Sequence, residues 1–258
     1  MNDNQIRSQL QTIEKTYGVH ILTAVESGSR AWGFASPDSD WDVRFIYVHP
    51  VRWYMQVEPA RDVIEIMTED GFDAVGWDLR KALQLFRKTN PSMLEWLMSP
   101  IRYIDNDNFS ESLASLIPNY FNPTSGLHHY YSMAESHNEK YLLKNGITLK
   151  RFLYYLRSLL ACKWIMYEMT PPPVPFRELV GATVHDSNLI AAIDRLLDKK
   201  SKSKEHDKDS VEPILIDFAA TLQEKIADYL NTVKLPNPDK DKDHILNDLL
   251  YTMAASFC

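Results

Sequence analysis

A segment of nine residues constrains the fold more than any other part of this sequence. It reads DWDVRFIYV at positions 40–48, with Asp40 and Asp42 at its start and an uninterrupted apolar run at residues 45–48. Apolar residues that do not alternate with polar ones are typical of a strand buried on both faces. We therefore expect a central strand in a sheet that is covered on both sides, with the acidic pair where that strand begins.

The residues before this segment predict a helix, a strand and a tight turn, in that order. Residues 5–17 carry apolar side chains at helical spacing, and residues 19–25 form a short β-rich run. Gly28 and Ser29 then stand at the start of a predicted short helix. Backbone N–H groups at a helix start can bind phosphate oxygens, Gly28 permits close backbone approach, and the Ser29 hydroxyl is a further donor. The turn is therefore a candidate phosphate-binding site.

The pattern after the central strand changes from mixed to helical. Residues 61–66 and 71–75 have the composition of two further strands, whereas the sequence after about residue 105 has helical spacing almost throughout. The later helices are predicted at residues 108–117, 122–144, 147–169, 186–198 and 210–231.

Shorter signals predict where individual elements start and stop. Residues 51–58 are expected to form a short helix, and Asp78 is expected to cap the start of another. Asn90-Pro91 should end that second helix, because proline lacks an N–H donor, and Ser92 should cap the next one. The charged stretch at residues 198–209 contains no large apolar residue and predicts an exposed loop.

Composition and charge restrict the class of protein. The formal net charge of −7 argues against a generally basic nucleic-acid coat. The two cysteines, Cys162 and Cys258, cannot form a disulfide framework or a zinc site by their spacing. No signal-peptide core is seen at the N-terminus, and no apolar run approaches the roughly 18 residues that span a bilayer. We therefore expect a cytoplasmic protein that does not enter a membrane.

The acidic pair is the feature that points to chemistry. Side chains alternate faces along a strand, so Asp40 and Asp42 should project to the same side. Two carboxylates on one face repel each other unless a cation lies between them, and Mg²⁺ favours one or two carboxylates together with substrate phosphates. The alternative, a solvated strand end, is disfavoured by the apolar run that follows. Mg²⁺, or Mn²⁺ in its place, is therefore the expected cofactor.

Several motifs of the sequence resemble those of a known superfamily. Gly28-Ser29, Gly33 and Ser39-Asp40-Trp41-Asp42 look like the signature of the DNA polymerase beta nucleotidyltransferases. GWDLRKAL at residues 76–83 and NPSMLEWLMSPIRY at residues 90–103 resemble one branch. That branch is the RlaP family of nucleotidyltransferases associated with bacterial RNA repair operons. The resemblance implies an α+β fold, with a small mixed β-sheet nucleotidyltransferase domain and flanking helices followed by an all-α C-terminal domain.

The resemblance also implies domain bounds and a set of metal ligands. The catalytic domain is expected at residues 1–105 and the helical domain at residues 106–258. Asp40 and Asp42 match the metal-binding pair of the superfamily, which usually has a third carboxylate on a neighbouring strand. Asp73, an acid within an apolar strand, is the preferred third position.

Other residues compete for these roles or extend them. Glu65, flanked by two isoleucines, is the competitor of Asp73, and Asp78 is interpreted as a helix cap rather than a catalytic residue. Arg30 and Arg44 flank the acidic motif, and a guanidinium forks well onto phosphate oxygens. The open alternative for each arginine is a surface ion pair.

These residues support one hypothesis over two others. The first is an enzyme that binds a nucleoside triphosphate such as ATP and transfers the nucleoside monophosphate to an acceptor hydroxyl. That acceptor is an RNA end, a small molecule or a protein, although the acidic chain weakens the case for long RNA. The alternatives are a non-catalytic nucleotide sensor on the same fold and a helical interaction protein in which the acidic pair is incidental.

Overall fold

The computed structural model describes residues 1–69, 71–138, 148–202, 210–233 and 243–257. These residues group into two compact units. The first unit contains the described residues of 1–31, 40–120 and 243–257. The second contains those of 32–39 and 121–233. The domain bounds expected from the resemblance, 1–105 and 106–258, stay a prediction.

The first unit is built on a five-stranded sheet with the order β3-β4-β2-β1-β5. The strands are β1 His20–Glu26, β2 Trp41–Val48, β3 Val63–Met67, β4 Phe72–Asp78 and β5 Arg102–Asp105. Strands β2 and β4 pair in parallel, whereas the other neighbouring pairs are antiparallel. The predicted α+β class with a mixed sheet and a central β2 is thereby confirmed. Strand β5 was not predicted, and β2 begins at Trp41, one residue after Asp40.

Helices flank the sheet and form the second unit. They are α1 Asp3–Tyr17, α2 Gly28–Trp32, α3 Val51–Tyr54, α4 Leu79–Arg87, α5 Pro91–Leu97, α6 Phe109–Ala114, α7 Ile117–Tyr120, α8 Pro123–His137, α9 Leu149–Glu168, α10 Phe176–Thr183, α11 Ser187–Lys202, α12 Pro213–Thr232 and α13 Asp243–Ser256. Three of these, α7, α10 and α13, were not predicted. None of the helices among the described residues is both long and apolar enough to cross a membrane.

Helix α1 forms because its ends are capped and one face is apolar. The side chain of Asn2 accepts from the Gln5 N–H and the side chain of Gln5 accepts from the Asn2 N–H, while Gly18 ends the helix at φ +61. The apolar face packs into the sheet's core, where each fully buried side chain contributes about 1.5–3 kcal/mol. The buried residues of that face are Ile6, Leu10 and Ile13.

The caps of α4 and α5 show where local reasoning succeeded and failed. Oδ1 of Asp78 accepts from the Arg80 N–H at 2.9 Å, which confirms Asp78 as the cap of α4. The cap of α5 is Asn90, whose Oδ1 accepts from the Met93 N–H at 3.1 Å, so the prediction of Ser92 was wrong. Proline suits the first position of a helix because it has no N–H to satisfy, and this places the cap one residue before Pro91.

In the second unit, α11 corrects the interpretation of the charged stretch. The helix continues to Lys202, so residues 198–202 are not loop. Lys200 is only 1% exposed, and its Nζ donates to Oγ of Ser36 at 2.7 Å. The charge pattern missed this because a lysine stem can be buried while its ammonium finds a polar partner. The remainder of the predicted loop, residues 203–209, lies outside the described residues.

Candidate active site

Asp42 and Asp73 lie directly opposite each other in the sheet. Strand β2 pairs with β4 in parallel, and the register aligns Asp42 with Asp73. Partners at one register position project to the same face, so the two carboxylates lie side by side. Their side chains keep 25% and 24% of their exposure, which leaves both carboxylates accessible from solvent.

A single guanidinium group bridges these two carboxylates. Nη2 of Arg44 donates to Oδ1 of Asp42 at 2.9 Å and to Oδ2 of Asp73 at 2.8 Å. Nη1 donates to the backbone oxygens of Asp73 at 2.8 Å and Val43 at 3.1 Å. The alternation of β2 correctly predicted that Arg44 shares a face with Asp42. Its role in nucleotide binding stays a prediction.

The carboxylate of Asp42 packs against the turn at Gly28. A Cβ atom on Gly28 would lie 2.2 Å from Oδ2 of Asp42, far inside contact distance, and the backbone there has φ +58. The neighbouring Ser27 N–H donates to the backbone oxygen of Asp42 at 2.8 Å. Glycine is therefore required by both backbone conformation and space. Ser29, which follows Gly28, is buried within α2.

Asp40 faces a different turn. Its Oδ1 would lie 3.1 Å from a Cβ atom on Gly71, the residue that precedes β4. The backbone oxygen of Gly71 accepts from the Trp41 N–H at 2.8 Å, which ties the start of β2 to the start of β4. The structure thus places Asp42 against the Gly28 turn and Asp40 against the Gly71 turn. Their joint role as metal ligands stays a prediction.

Arg30 braces the start of β2. Its Nε donates to the backbone oxygen of Asp40 at 3.0 Å, and its guanidinium carbon lies 3.9 Å from the centroid of the Trp41 ring. The same Nε is 3.9 Å from Oε1 of Glu26. These contacts hold the guanidinium beside the acidic motif, as the sequence suggested, while contact with a triphosphate stays a prediction.

The sequence did not predict a role for Glu26, which forms a hydrogen bond with the backbone of Asp42. Glu26 is fully buried; its Oε1 accepts from the Asp42 N–H at 3.0 Å, and its Oε2 accepts from the Tyr103 hydroxyl at 2.6 Å. Burial raises the pKa of Glu26 to about 7, although the Tyr103 hydrogen bond opposes that rise. An acid ending an apolar strand, two residues before Gly28, was the available signal.

The other two candidate acids lie elsewhere. Glu65 is on β3, its side chain is 59% exposed, and it pairs with Arg61. Asp78 is buried at the start of α4, where its Oδ2 also accepts from the Tyr54 hydroxyl at 2.8 Å. Of the three acids considered for the third position, Asp73 is the one that lies beside Asp42.

The donor set of this site suits a hard divalent cation, although no complete metal cage is formed. Within the described residues, no group of three or more His, Cys, Asp or Glu side chains has the arrangement that holds a metal. Asp42 and Asp73 nevertheless offer carboxylate oxygens side by side, and they already share the positive charge of Arg44. Mg²⁺ is commonly bound through one or two carboxylates with substrate phosphates completing its shell. The pair fits that mode of binding.

Comparison with known proteins identifies the family to which the chain belongs. The model of the RNA repair pathway DNA polymerase beta family, RlaP, matches residues 2–252. An uncharacterized protein of Bacillus subtilis (strain 168), YcgL, is 41% identical over 246 residues, which is 95% of this chain and 94% of that protein. A crystal structure of a nucleotidyltransferase-like protein from Exiguobacterium sibiricum 255-15 is 11% identical, covers 86% of this chain and 73% of that one, and has a TM-score of 0.33.

Proposed function

We propose a reaction for the active site of this chain, which belongs to the RNA repair pathway DNA polymerase beta family. Membership of the family supports a general nucleotidyltransferase role. The reaction proposed is transfer of a nucleoside monophosphate from a nucleoside triphosphate to an acceptor hydroxyl. ATP is the nucleoside triphosphate proposed as the first donor to test. Pyrophosphate is the product released when the bond between the α- and β-phosphates breaks.

One observation carries this proposal: Asp42 and Asp73 lie at the same register position of two parallel strands, with Asp42 against the Gly28 turn. With Asp40, they are the residues that would hold Mg²⁺ or Mn²⁺. The bound cation would neutralise phosphate charge and lower the pKa of the attacking hydroxyl. Asp73 would also accept the proton of that hydroxyl, and its partly exposed carboxylate supports this role.

The remaining residues have roles in binding and orientation. Gly28 leaves space for the Asp42 carboxylate and, with Ser29, presents the turn expected to meet the phosphates. Arg30 and Arg44 supply positive charge at the start of β2, and their guanidinium groups would contact the negatively charged phosphates of a bound triphosphate. Glu26 holds the backbone of Asp42 in place and does not touch the substrate.

An RNA end is the acceptor we favour, because the chain's own family is described by an RNA repair pathway. The net charge of −7 argues that such RNA is bound through a local patch or a short segment rather than along a long duplex. Transfer to a small hydroxylated molecule or to a protein uses the same site chemistry. Both are therefore included as acceptors in the test.

The test is nucleotide transfer with matched variants. Wild type, Asp42→Asn and Asp194→Asn are incubated with labelled triphosphates, Mg²⁺ or Mn²⁺, and RNA ends, small alcohols or candidate proteins. Asp194 is a suitable control because it is an exposed aspartate of the second unit. We expect Asp42→Asn to lose at least ~100-fold in rate and Asp194→Asn to match wild type. Equal turnover by Asp42→Asn and wild type would remove the basis of the proposal.

A nucleotide sensor is the second candidate, because Arg44 already contacts the two carboxylates on which the transfer reaction would depend. A sensor would bind the triphosphate without breaking it. Pyrophosphate release under the same conditions separates the two, since only a transferase produces it in step with labelled acceptor.

A further inference from the structure

We propose that Arg44 is a built-in counter-cation, which occupies the Asp42–Asp73 pair until a metal ion enters together with the nucleotide. The inference rests on the proposed function and adds how the metal site is controlled. Its basis is that one nitrogen, Nη2 of Arg44, contacts both carboxylates, at 2.9 and 2.8 Å.

The first step of the argument is position. An ion that bridged Oδ1 of Asp42 and Oδ2 of Asp73 would need the space that Nη2 fills. A guanidinium and a divalent cation cannot both occupy that space, because their charges repel and their atoms overlap. A metal ion that arrives alone must therefore displace Arg44 or bind to fewer carboxylate oxygens.

The second step is that Arg44 is firmly held. Its side chain is only 16% exposed, and Nη1 makes two further hydrogen bonds, to the backbone oxygens of Asp73 and Val43. Charge-assisted hydrogen bonds of a partly desolvated guanidinium are stronger than those of an exposed ion pair. Displacement by a metal ion alone would therefore break the four hydrogen bonds of Arg44 and would offer its guanidinium no other anionic partner.

The third step is that a triphosphate changes this balance. Its phosphate oxygens match the fork of a guanidinium, so Arg44 can exchange a carboxylate partner for a phosphate one. The carboxylates are then free to take the ion that travels with the phosphates. Nucleotide should therefore raise the affinity for the metal, and by linkage the metal should raise the affinity for nucleotide.

A purely structural ion pair makes a different prediction. If Arg44, Asp42 and Asp73 only joined β2 to β4 and held no metal ion, removal of Arg44 would lower the free energy of unfolding but would not produce a tighter metal site. Metal binding in the absence of nucleotide therefore separates the two roles, and it can be measured without any transferase activity.

The experiment measures nucleotide-free Mn²⁺ binding by electron paramagnetic resonance for wild type, Arg44→Gln, Arg44→Lys and Arg61→Gln. Arg61→Gln is the matched control, because Arg61 is an arginine that pairs with a carboxylate of the same unit, and its side chain is 71% exposed. We expect the Kd for Mn²⁺ to fall at least ~10-fold in Arg44→Gln, because the competing charge is gone. The control should stay within about twofold of wild type.

A second readout guards against a variant that folds poorly. Without Arg44 the two carboxylates repel each other, so Mn²⁺ should raise the Tm of Arg44→Gln more than that of wild type. Arg44→Lys keeps the charge but loses the fork. Its Kd for Mn²⁺ should lie between those of wild type and Arg44→Gln, and it gives the same comparison if Arg44→Gln does not fold.

The outcomes distinguish this inference from the proposed function. Equal nucleotide-free affinities of wild type, Arg44→Gln and Arg44→Lys, in a protein that transfers nucleotides, would overturn the inference and leave the function intact. Absence of Mn²⁺ binding by every variant, with or without ATP, would overturn both.

Discussion

A Cβ atom on Gly28 would lie 2.2 Å from Oδ2 of Asp42, so the turn after β1 and the acidic strand β2 meet with no room for a side chain. Gly28→Ala must therefore move either the turn or the carboxylate. We expect it to reduce nucleotide transfer about 100-fold, because a displacement near 1 Å is enough to misplace a catalytic group. Steady-state rates with saturating Mn²⁺ measure the effect.

Gly18→Ala is the matched control for that substitution. Gly18 has φ +61, close to the +58 of Gly28, but a Cβ atom on Gly18 would meet nothing within 4 Å. Both variants should lose about 1–2 kcal/mol of stability through the left-handed backbone conformation. Only Gly28→Ala should also lose activity. An equal loss of activity in Gly18→Ala would show that reduced stability alone causes the effect.

Substitution of the competing acids should identify the third carboxylate. Asp73→Asn should lower the transfer rate at least ~100-fold, because Asp73 lies beside Asp42 and shares Arg44 with it. Glu65→Gln should remain within about twofold of wild type, since its exposed carboxylate pairs with Arg61. The reverse order of these two rates would reassign the position to Glu65.

Local pattern was sufficient for the parts of the site that lie on one strand. Alternation along β2 places Asp42 and Arg44 on one face whatever surrounds the strand. The spacing of apolar residues likewise located α1, β1 and β2 within one or two residues. These are properties of a few consecutive residues, which is why they can be read without knowledge of the tertiary structure.

Contacts between distant segments were out of reach of such reasoning. That Asp73 rather than Glu65 lies beside Asp42 depends on β2 pairing with β4 in parallel at one register. Glu26 contacts Asp42 because β1 pairs with β2, and its second carboxylate oxygen accepts from Tyr103 on the unpredicted strand β5. Strand order and register are set by the packing of the whole sheet, and a short polar-flanked strand such as β5 carries a weak local signal.

The half-buried His49, which directly follows the central strand β2, predicts a pH-dependent stability. Burial lowers the pKa of His49 to about 4, and its ring stacks on Trp53 with centroids 4.0 Å apart. Since the folded-state pKa lies below the unfolded value of 6.5, the unfolded chain binds the extra proton between these values. Stability is therefore complete above about pH 6.5 and falls as the pH drops toward 4.

His49→Phe isolates this contribution, because phenylalanine keeps the stacking on Trp53 and does not titrate. Urea unfolding of both proteins at pH 7 and pH 5 should show that wild type loses roughly 1–2 kcal/mol more than the variant over that range. Parallel pH profiles of the two proteins would show that the ring is protonated as easily in the folded state as in the unfolded state.

Substitution of Lys200 tests whether the charged end of α11 is part of the core of the second unit. Its side chain is 1% exposed and its Nζ donates to Oγ of Ser36, which lies in the short segment between α2 and β2. Lys200→Ala should lower the free energy of unfolding by about 2–4 kcal/mol, because it removes buried methylenes and a hydrogen bond to a buried hydroxyl. Lys202→Ala, at a position 72% exposed, should change it by less than about 0.5 kcal/mol. Denaturant unfolding followed by circular dichroism measures both, and equal small losses would mean that the end of α11 is as solvated as its charge pattern first indicated.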